Sequence, residues 1–452
     1  MTSGRAGNFQ AAFRVDRWYR MHFTATGQLL IYAIVVSGVL GFDTSRNLSH
    51  QIFALLVAVL LLSMVFSRFS RPRIQCERSL PSVVTVGQAF NYQVRVHNRG
   101  SADYSDVLLV DRLEDVFPTA QELKRYNDRE SRSENWFDRV VGYPRWRRLL
   151  RHKTGADAPR HIIDFLPAGQ SVDLQLSMTP LRRGYVRIVS SCFAYPDPVG
   201  LFRKVFENPS EGSVLVLPKR YSVAPLKLSG KRNHHQGGVA LSSSVGESGE
   251  FHGLREYENG DPLRRIHWRS WARQGKPMVK TYEDEFFVRH ALVLDTCMTA
   301  GVANSPEAVF EEAVSVAASI AVNMTDQESL LDLMFVEDKA YQFTFGRGMG
   351  DTRSLLEILA GVQAGSEFSM TGLNALLAQH LSHMSSVIFV FLQWDEMRRQ
   401  LVRNVRQNGI DVRVLLVCES SAAAPDVDFM SLDEPIITLT MESIEQDLLQ
   451  LS

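Results

Sequence analysis

Cysteine is scarce in this 452-residue chain: Cys76, Cys192, Cys297 and Cys418 are its only four. They lie far apart and form no CxxC pair. That excludes a zinc ribbon or a thioredoxin-like redox site, and it fits a reducing compartment. HExxH and Cys/His ligand clusters are also missing, so the pattern offers no common zinc site. Net charge is −1, so no global field points to nucleic acid, and an electrostatic partner has to be met by a local patch. Phosphate loops are absent too. GRGMGDT, from Gly346, lacks the Lys of a phosphate loop, and its third Gly is misplaced for a dinucleotide turn; it reads as a strand-to-helix loop with Asp351 as cap. VGESGE places Glu250 where the second Gly of a nucleophile elbow belongs. Paired acids such as Glu256 and Glu258 are able to do acid–base chemistry, but nothing separates them from ordinary surface acids.

What is present begins with two uncharged apolar runs, 24–42 and 48–67. At about 1.5 Å rise per residue, each reaches roughly 28–30 Å, the thickness of a bilayer core. The link 43–47 is too short for anything but a tight turn, so the pair reads as a transmembrane helical hairpin. Buried core helices normally show a polar face, which these lack. A signal peptide has a shorter apolar region and is not normally followed by a second span. Arg5, Arg14, Arg17 and Arg20 precede the first run, Arg68, Arg71, Arg73 and Arg78 follow the second, and only Arg46 lies between. The positive-inside rule then puts both ends in the cytoplasm. The expected localisation is the cell membrane, multi-pass, with segment 1–23 and the bulk of the chain cytoplasmic.

Length suggests about three units at roughly 150 residues each. The first after the hairpin, 74–228, is β-rich. Phe90, Tyr92, Val94 and Val96 fall at every second residue, as in a half-buried strand closed by an Asn-Arg-Gly turn. Further short apolar runs start at Val107, Val172, Tyr185 and Ser213. Strands without intervening helices predict an antiparallel, all-β sandwich. An insertion at 118–160 interrupts the alternation with a basic, aromatic cluster of Arg145, Trp146, Arg147, Arg148, Arg151 and Lys153. It reads as an exposed helical excursion whose arginines pair with Glu134 and Asp138. Contact with an anionic leaflet is a second reading, and single-stranded nucleic-acid binding a third. Segment 229–249, rich in Gly, Ser and His, reads as a linker.

From His290 strands and helices alternate. HALVLD ends at Asp295, a helix follows from about Pro306 to Met324, strands lie around 330–336 and 341–345, and SVIFVFLQ and DVRVLLV close the series. This predicts a Rossmann-type parallel sheet covered on both faces, with a ligand site outside the carboxyl ends of its strands. Asp295, Cys297, Thr299, Ser369, Thr371 and Asp395 fall at such positions. Hydroxyls and carboxylates suit Mg²⁺; a thiol does not. Helix N-capping is the alternative for Asp295 and Asp395.

Between these regions, 249–286 packs acids, arginines and tryptophans around Asn259-Gly260-Asp261-Pro262, a turn and expected helix start. Arg265, Arg269 and Arg273 share one helical face. Acids and bases nearly balance here. That favours internal salt bridges over a phosphate or nucleic-acid site, which would show excess positive charge. The other reading is docking, with Arg255, Glu256, Tyr257, Asp261, Arg265, Trp268 and Arg273 as candidates, because Arg and Trp dominate interface hot spots.

The stretch EFHGLREYENGDPLRRIHWRSWARQGKPMVKTYEDE resembles the central motif of the bacterial family called domain of unknown function 58. LRRGYVRI from Leu181, AYPDPVGLFRKVF from Ala194 and VLPKRY match as well. With the apolar hairpin and the β-rich segment, the resemblance extends over almost the whole chain. It implies a von Willebrand factor A-like C-terminal domain in 250–452. Such domains often hold Mg²⁺ at a D-x-S-x-S pattern with a later Thr and Asp. Here those positions read Asp295, Cys297, Thr299, Thr371 and Asp395, a degenerate set. The resemblance further implies a membrane-anchored adaptor working with a MoxR-type AAA+ ATPase rather than an enzyme, with no nucleic acid expected. The alternative is a metal-dependent hydrolase using Asp295, Asp395 and Glu256 or Asp261.

Overall fold

Two apolar helices follow a charged N-terminal helix and precede the sheets. The computed structural model describes residues 3–40, 48–69, 72–126, 141–158, 160–225, 250–261, 263–283, 288–297, 305–325, 329–346, 351–365, 369–420 and 436–451. Helix Ser3–His22 leads into helix Ala25–Leu40, and helix Leu48–Phe69 follows. Of the stretch His50–Ser67, long and apolar enough to cross a membrane, only 11% is buried. The first apolar helix is shorter: its 16 residues span about 24 Å at ~1.5 Å per residue. The link 43–47 and the linker 229–249 lie outside the described residues.

The chain divides into two units. One is Met1–Tyr221 with Thr299–Ser319 and Arg353–Gln363; the other is Ser222–Met298 with Ile320–Thr352 and Ala364–Ser452.

In the first unit, two sheets enclose one core. The strands are β1 (Ile74–Ser79), β2 (Val83–Thr85), β3 (Phe90–Asn98), β4 (Tyr104–Leu113), β5 (Ala156–Asp157), β6 (Arg160–Leu166), β7 (Ser171–Pro180), β8 (Gly184–Pro196) and β9 (Arg203–Leu217). One sheet runs β1-β3-β7-β5, the other β2-β9-β8-β4-β6. Pairing is antiparallel except for β2 with β9. The period-2 pattern of β3 buries Tyr92, Val94 and Val96 against Val107, Leu109, Ile188 and Phe193 from the facing sheet. Each such apolar side chain contributes about 1.5–3 kcal/mol on full burial. A polar knot sits in the same unit. Asp111 accepts from Arg78 and from the Tyr92 hydroxyl at 2.5 Å, and from Ser191 at 2.9 Å. A buried carboxylate is tolerated only when so completely paired.

The insertion differs from its sequence expectation. Trp146 is 0% exposed and packs with Leu123, Leu149 and Leu150, against Phe9, Phe13, Phe117 and Tyr143. The helix Tyr143–Thr154 is therefore a brace for the N-terminal helix rather than an exposed excursion. Burying one indole dominates the placement of this helix, while Arg147 and Arg151 remain exposed on its other side. Its basic residues pair with Asp157 (Arg151, 2.6 Å) and Glu122 (Lys153, 2.7 Å). Glu134 and Asp138 lie outside the described residues.

The apolar hairpin is pinned to the loop after β8. Thr24 donates its backbone N–H to the Leu201 carbonyl (3.2 Å) and its hydroxyl to the Gly200 carbonyl (2.6 Å). Phe23 packs edge-on to Phe202. Asp197 organises the loop by accepting from the Leu201 and Phe202 N–H groups at 2.8 and 2.9 Å. In LRRGYVRI, buried Arg183 donates to the carbonyls of Leu359 (3.2 Å) and Val362 (2.5 Å) and pairs with Glu311.

The second unit holds the hairpin β10 (Glu250–Glu256) and β11 (Met278–Glu283) and a six-stranded sheet. The sheet comprises β12 (Arg289–Leu294), β13 (Leu330–Val336), β14 (Ala340–Phe345), β15 (Ser386–Phe391), β16 (Asp411–Cys418) and β17 (Ile437–Thr440), in the order β14-β13-β12-β15-β16-β17. All neighbours are parallel except β14, which runs antiparallel to β13. The turn between them, closed by the Glu337 N–H on the Lys339 carbonyl, is too short for a parallel crossover. Strands β12 and β15 are buried almost throughout, as a sheet covered on both faces requires. Helix Pro306–Thr325 is also long and apolar enough to cross a membrane, but 67% of it is buried, which marks it as a core helix.

Candidate functional site

The strand order reverses between β12 and β15, and the carboxyl ends at such a switch point are where sheets of this kind place a ligand site. Asp295 directly follows β12. Asp395 caps helix Glu396–Gln407 after β15, accepting the Arg398 N–H at 2.9 Å.

The two carboxylates meet on one guanidinium. Arg398 donates from Nε (2.8 Å) and Nη2 (2.7 Å) to Asp295 Oδ2, and from Nη1 to Asp395 Oδ2 at 2.5 Å. Its Nη2 also reaches the Cys297 carbonyl at 3.3 Å. The side chain of Arg398 is buried, as is that of Asp295; the side chain of Asp395 is 38% exposed. Backbone donors complete the shell of Asp295: the Cys297 N–H to Oδ1 at 2.9 Å and the Leu392 N–H to Oδ2 at 3.3 Å. Gln393 Nε2 adds a 3.2 Å bond to Asp395 Oδ2. Complete burial pushes the Asp295 carboxyl up from its ordinary range, and the guanidinium opposes that shift. The remaining residues of the expected metal set are placed differently. Cys297 is buried and bridges to Gly365. Thr371 is exposed near the start of helix Ser369–His380. Thr299 lies outside the described residues.

This donor set does not suit Mg²⁺, which needs several free oxygens in near-octahedral array. The carboxylate oxygens of Asp295 and Asp395 already accept from protein donors, and a positive charge sits between them. No group of three or more His, Cys, Asp or Glu side chains able to hold a metal ion occurs among the described residues.

Arg398 escaped the sequence reading. Its signal was the spacing Asp395-x-x-Arg398 at a helix start, which also describes an ordinary i,i+3 surface pair.

A second cluster lies in the central motif. β10 and β11 pair antiparallel. The turn between them is held by Asp261, which accepts from the Glu258 N–H (3.0 Å) and from Arg255 (2.5 Å). Those two donors keep the Asp261 carboxyl below its ordinary value. Lys276 pairs with Glu256 at 3.0 Å, and the Tyr257 N–H donates to the Pro277 carbonyl. The helix begins later than Asp261: a 3₁₀ turn Leu263–Arg265 comes first, then helix Trp268–Gln274. Asp261 is spent on the turn and leaves no cap for the first helical residues.

Of the motif's acids, Asp261 and Glu258 thus lie on Arg255 and Glu256 on Lys276. Trp268 is 64% exposed and stacks on Trp271 with ring centroids 5.3 Å apart. Leu263, Arg265, Arg269 and Arg273 are exposed as well. The balance of charge read from the sequence is real but unevenly spread.

A six-stranded α/β unit with a hairpin motif ahead of its first strand defines the C-terminal class. Residues 253–440 match the family described as protein of unknown function DUF58, which supports the DUF58 resemblance read from the central motif. No curated protein matches the chain. Solved structures show only slight likeness. A CARDB domain from Pyrococcus furiosus is similar at 16% identity and a TM-score of 0.19, over 32% of this chain and 89% of that one. The superoxide reductase (neelaredoxin) of Ignicoccus hospitalis follows at 11% and 0.16, over 33% and 84%. A β-glucosidase from Listeria innocua stands at 15% and 0.15, over 32% and 17%. Likenesses of this size carry no argument about chemistry.

Proposed function

We propose that the chain is a membrane-anchored interaction protein whose bulk faces the cytoplasm and whose central motif docks a protein partner. The observation that carries this reading is the exposed Trp268, stacked on Trp271 and flanked by Leu263 and three exposed arginines. Large exposed aromatics beside arginines are the residue types that dominate binding energy. Anchoring is supported by the apolar helix Leu48–Phe69, by the shorter helix before it, and by the arginines flanking them. The DUF58 resemblance nominates a MoxR-type AAA+ ATPase in protein or complex maturation as the partner, at the bacterial inner membrane. Parallel strands covered by helices, with one antiparallel edge strand, support reading the C-terminal sheet as von Willebrand A-like. The hydrolase alternative gains no support from the geometry: Asp295 and Asp395 pair with Arg398, Glu256 with Lys276, and Asp261 with Arg255.

The test is affinity purification of the full chain from native membranes, with wild type and a Trp268→Ala, Arg269→Glu variant in parallel. An ATPase enriched with wild type and lost with the variant is expected. Absence of an ATPase from wild type contradicts the partner, and equal enrichment by both proteins contradicts the docking face.

A further inference from the structure

The rim beyond β12 and β15 is where a sheet of this topology holds a ligand, and it is lined by two carboxylates from different strand ends. Such a pair held close would repel strongly unless a positive charge lay between them. Here the positive charge comes from the chain itself. Arg398 approaches Asp295 through Nε and Nη2, Asp395 through Nη1, and the Cys297 carbonyl through Nη2. These are the donors a guanidinium offers, in its fixed planar fork. The same group faces the Phe391 ring at 6.0 Å, so aromatic carbon rather than water lies against it on that side.

We infer that the Arg398 guanidinium is the built-in cation of this strand-end site, so that the rim keeps its shape without a divalent metal. Three elements depend on it. Asp295 ends the segment after β12, the Leu392 N–H that also binds Asp295 follows β15, and Asp395 starts the helix Glu396–Gln407. Asp295 joins the first two through the Leu392 N–H, and the Arg398 guanidinium joins Asp295 to the start of the helix. A divalent ion brought to Asp295 Oδ2 would have to displace the Arg398 Nε and Nη2 donors, leaving that side of a buried guanidinium unpaired with only Asp395 still holding it, and breaking half of a buried ion pair in this way is costly. The inference concerns the rim alone and stands whether or not the central motif docks a partner. If a partner binds at the rim, it meets the exposed edge of Asp395, not a metal.

The experiment is thermal unfolding of the full chain in detergent, in EDTA and then in millimolar Mg²⁺ or Mn²⁺. A cation bound by the native state alone raises the midpoint by mass action. The wild-type midpoint is expected to be the same in all three. A metal-dependent rise in wild type that Asp295→Asn abolishes overturns the inference. Arg398→Ala provides the converse arm. Its midpoint falls in EDTA, and Mn²⁺ recovers part of the loss, because two carboxylates now face each other without their counter-charge. A folded Arg398→Ala protein indifferent to Mn²⁺ would also overturn the inference. Arg398→Lys, which keeps the charge but not the fork, is expected to melt between the two and to ignore Mn²⁺. Should Arg398→Ala not fold, the wild-type and Asp295→Asn comparison decides alone.

Discussion

Ser63, on the second apolar helix, donates a 2.6 Å hydrogen bond to Asp197 in the loop that leaves β8. Both side chains are buried. The joint between the apolar hairpin and the β-sandwich is thus built on a carboxylate that also accepts two backbone N–H groups, from Leu201 and Phe202. Asp197→Ala strands all three donors. Each buried group left without a partner costs about 1–3 kcal/mol, so the variant should lose several times the stability lost by Ser63→Ala. Urea unfolding of the detergent-solubilised chain measures both; equal losses would refute the central role of Asp197.

Gly27 lies in the first turn of the first apolar helix, where a Cβ would come within 2.1 Å of the Leu201 carbonyl oxygen. Backbone cannot yield as a flexible side chain does. Gly27→Ala should cost about 1–3 kcal/mol, as overpacking does. Gly7→Ala is the control. Nothing lies within 4 Å of its Cβ, and alanine gains up to ~1 kcal/mol over glycine in a helix interior. The same denaturation assay is expected to move in opposite directions for the two.

Trp146→Ala empties the cluster under the N-terminal helix. Truncating a buried Trp costs roughly 3–5 kcal/mol. The loss should be local first, so hydrogen exchange is expected to accelerate in Ser3–His22 and Tyr143–Thr154 before the sheets. Unchanged protection in Ser3–His22 would show that the brace is not needed.

How far the sequence could be read depended on the range of the interactions involved. Alternation in β3 and the apolar run of β15 are local, and the structure buries those residues. The positions of Asp295 and Asp395 at strand ends were equally legible, because βα alternation fixes where a parallel sheet opens. Arg398 was not. It sits 103 residues from Asp295, and Arg398-Arg399 looks like any solvated helix face. Trp146 is a parallel case: its partners Phe9 and Phe13 come from the other end of the first unit, and no local pattern encodes that packing. The basic residues around it misled, since a helix can bury one face and leave Arg147 and Arg151 exposed on the other.

His290 makes stability depend on pH. Burial lowers its imidazole below the ordinary 6.5, with Ser386 Oγ 2.7 Å from Nδ1. The unfolded chain therefore binds the proton first as pH falls. The contribution of neutral His290 is complete above pH 6.5 and declines as pH drops from there toward the folded value. Unfolding midpoints of wild type and His290→Gln, compared across that window, should converge as pH falls. A gap between them that stays constant would contradict this sign.

The central claim is that the exposed Trp268 face docks a partner at the membrane. A photo-crosslinking amino acid placed at position 268 in the full chain, in living cells, tests it most directly. Position 185 serves as control, since Tyr185 is also 64% exposed but lies in the sandwich. The account predicts a discrete crosslinked protein from 268, an AAA+ ATPase, that position 185 does not give. No adduct from 268, or the same products from both positions, would contradict it.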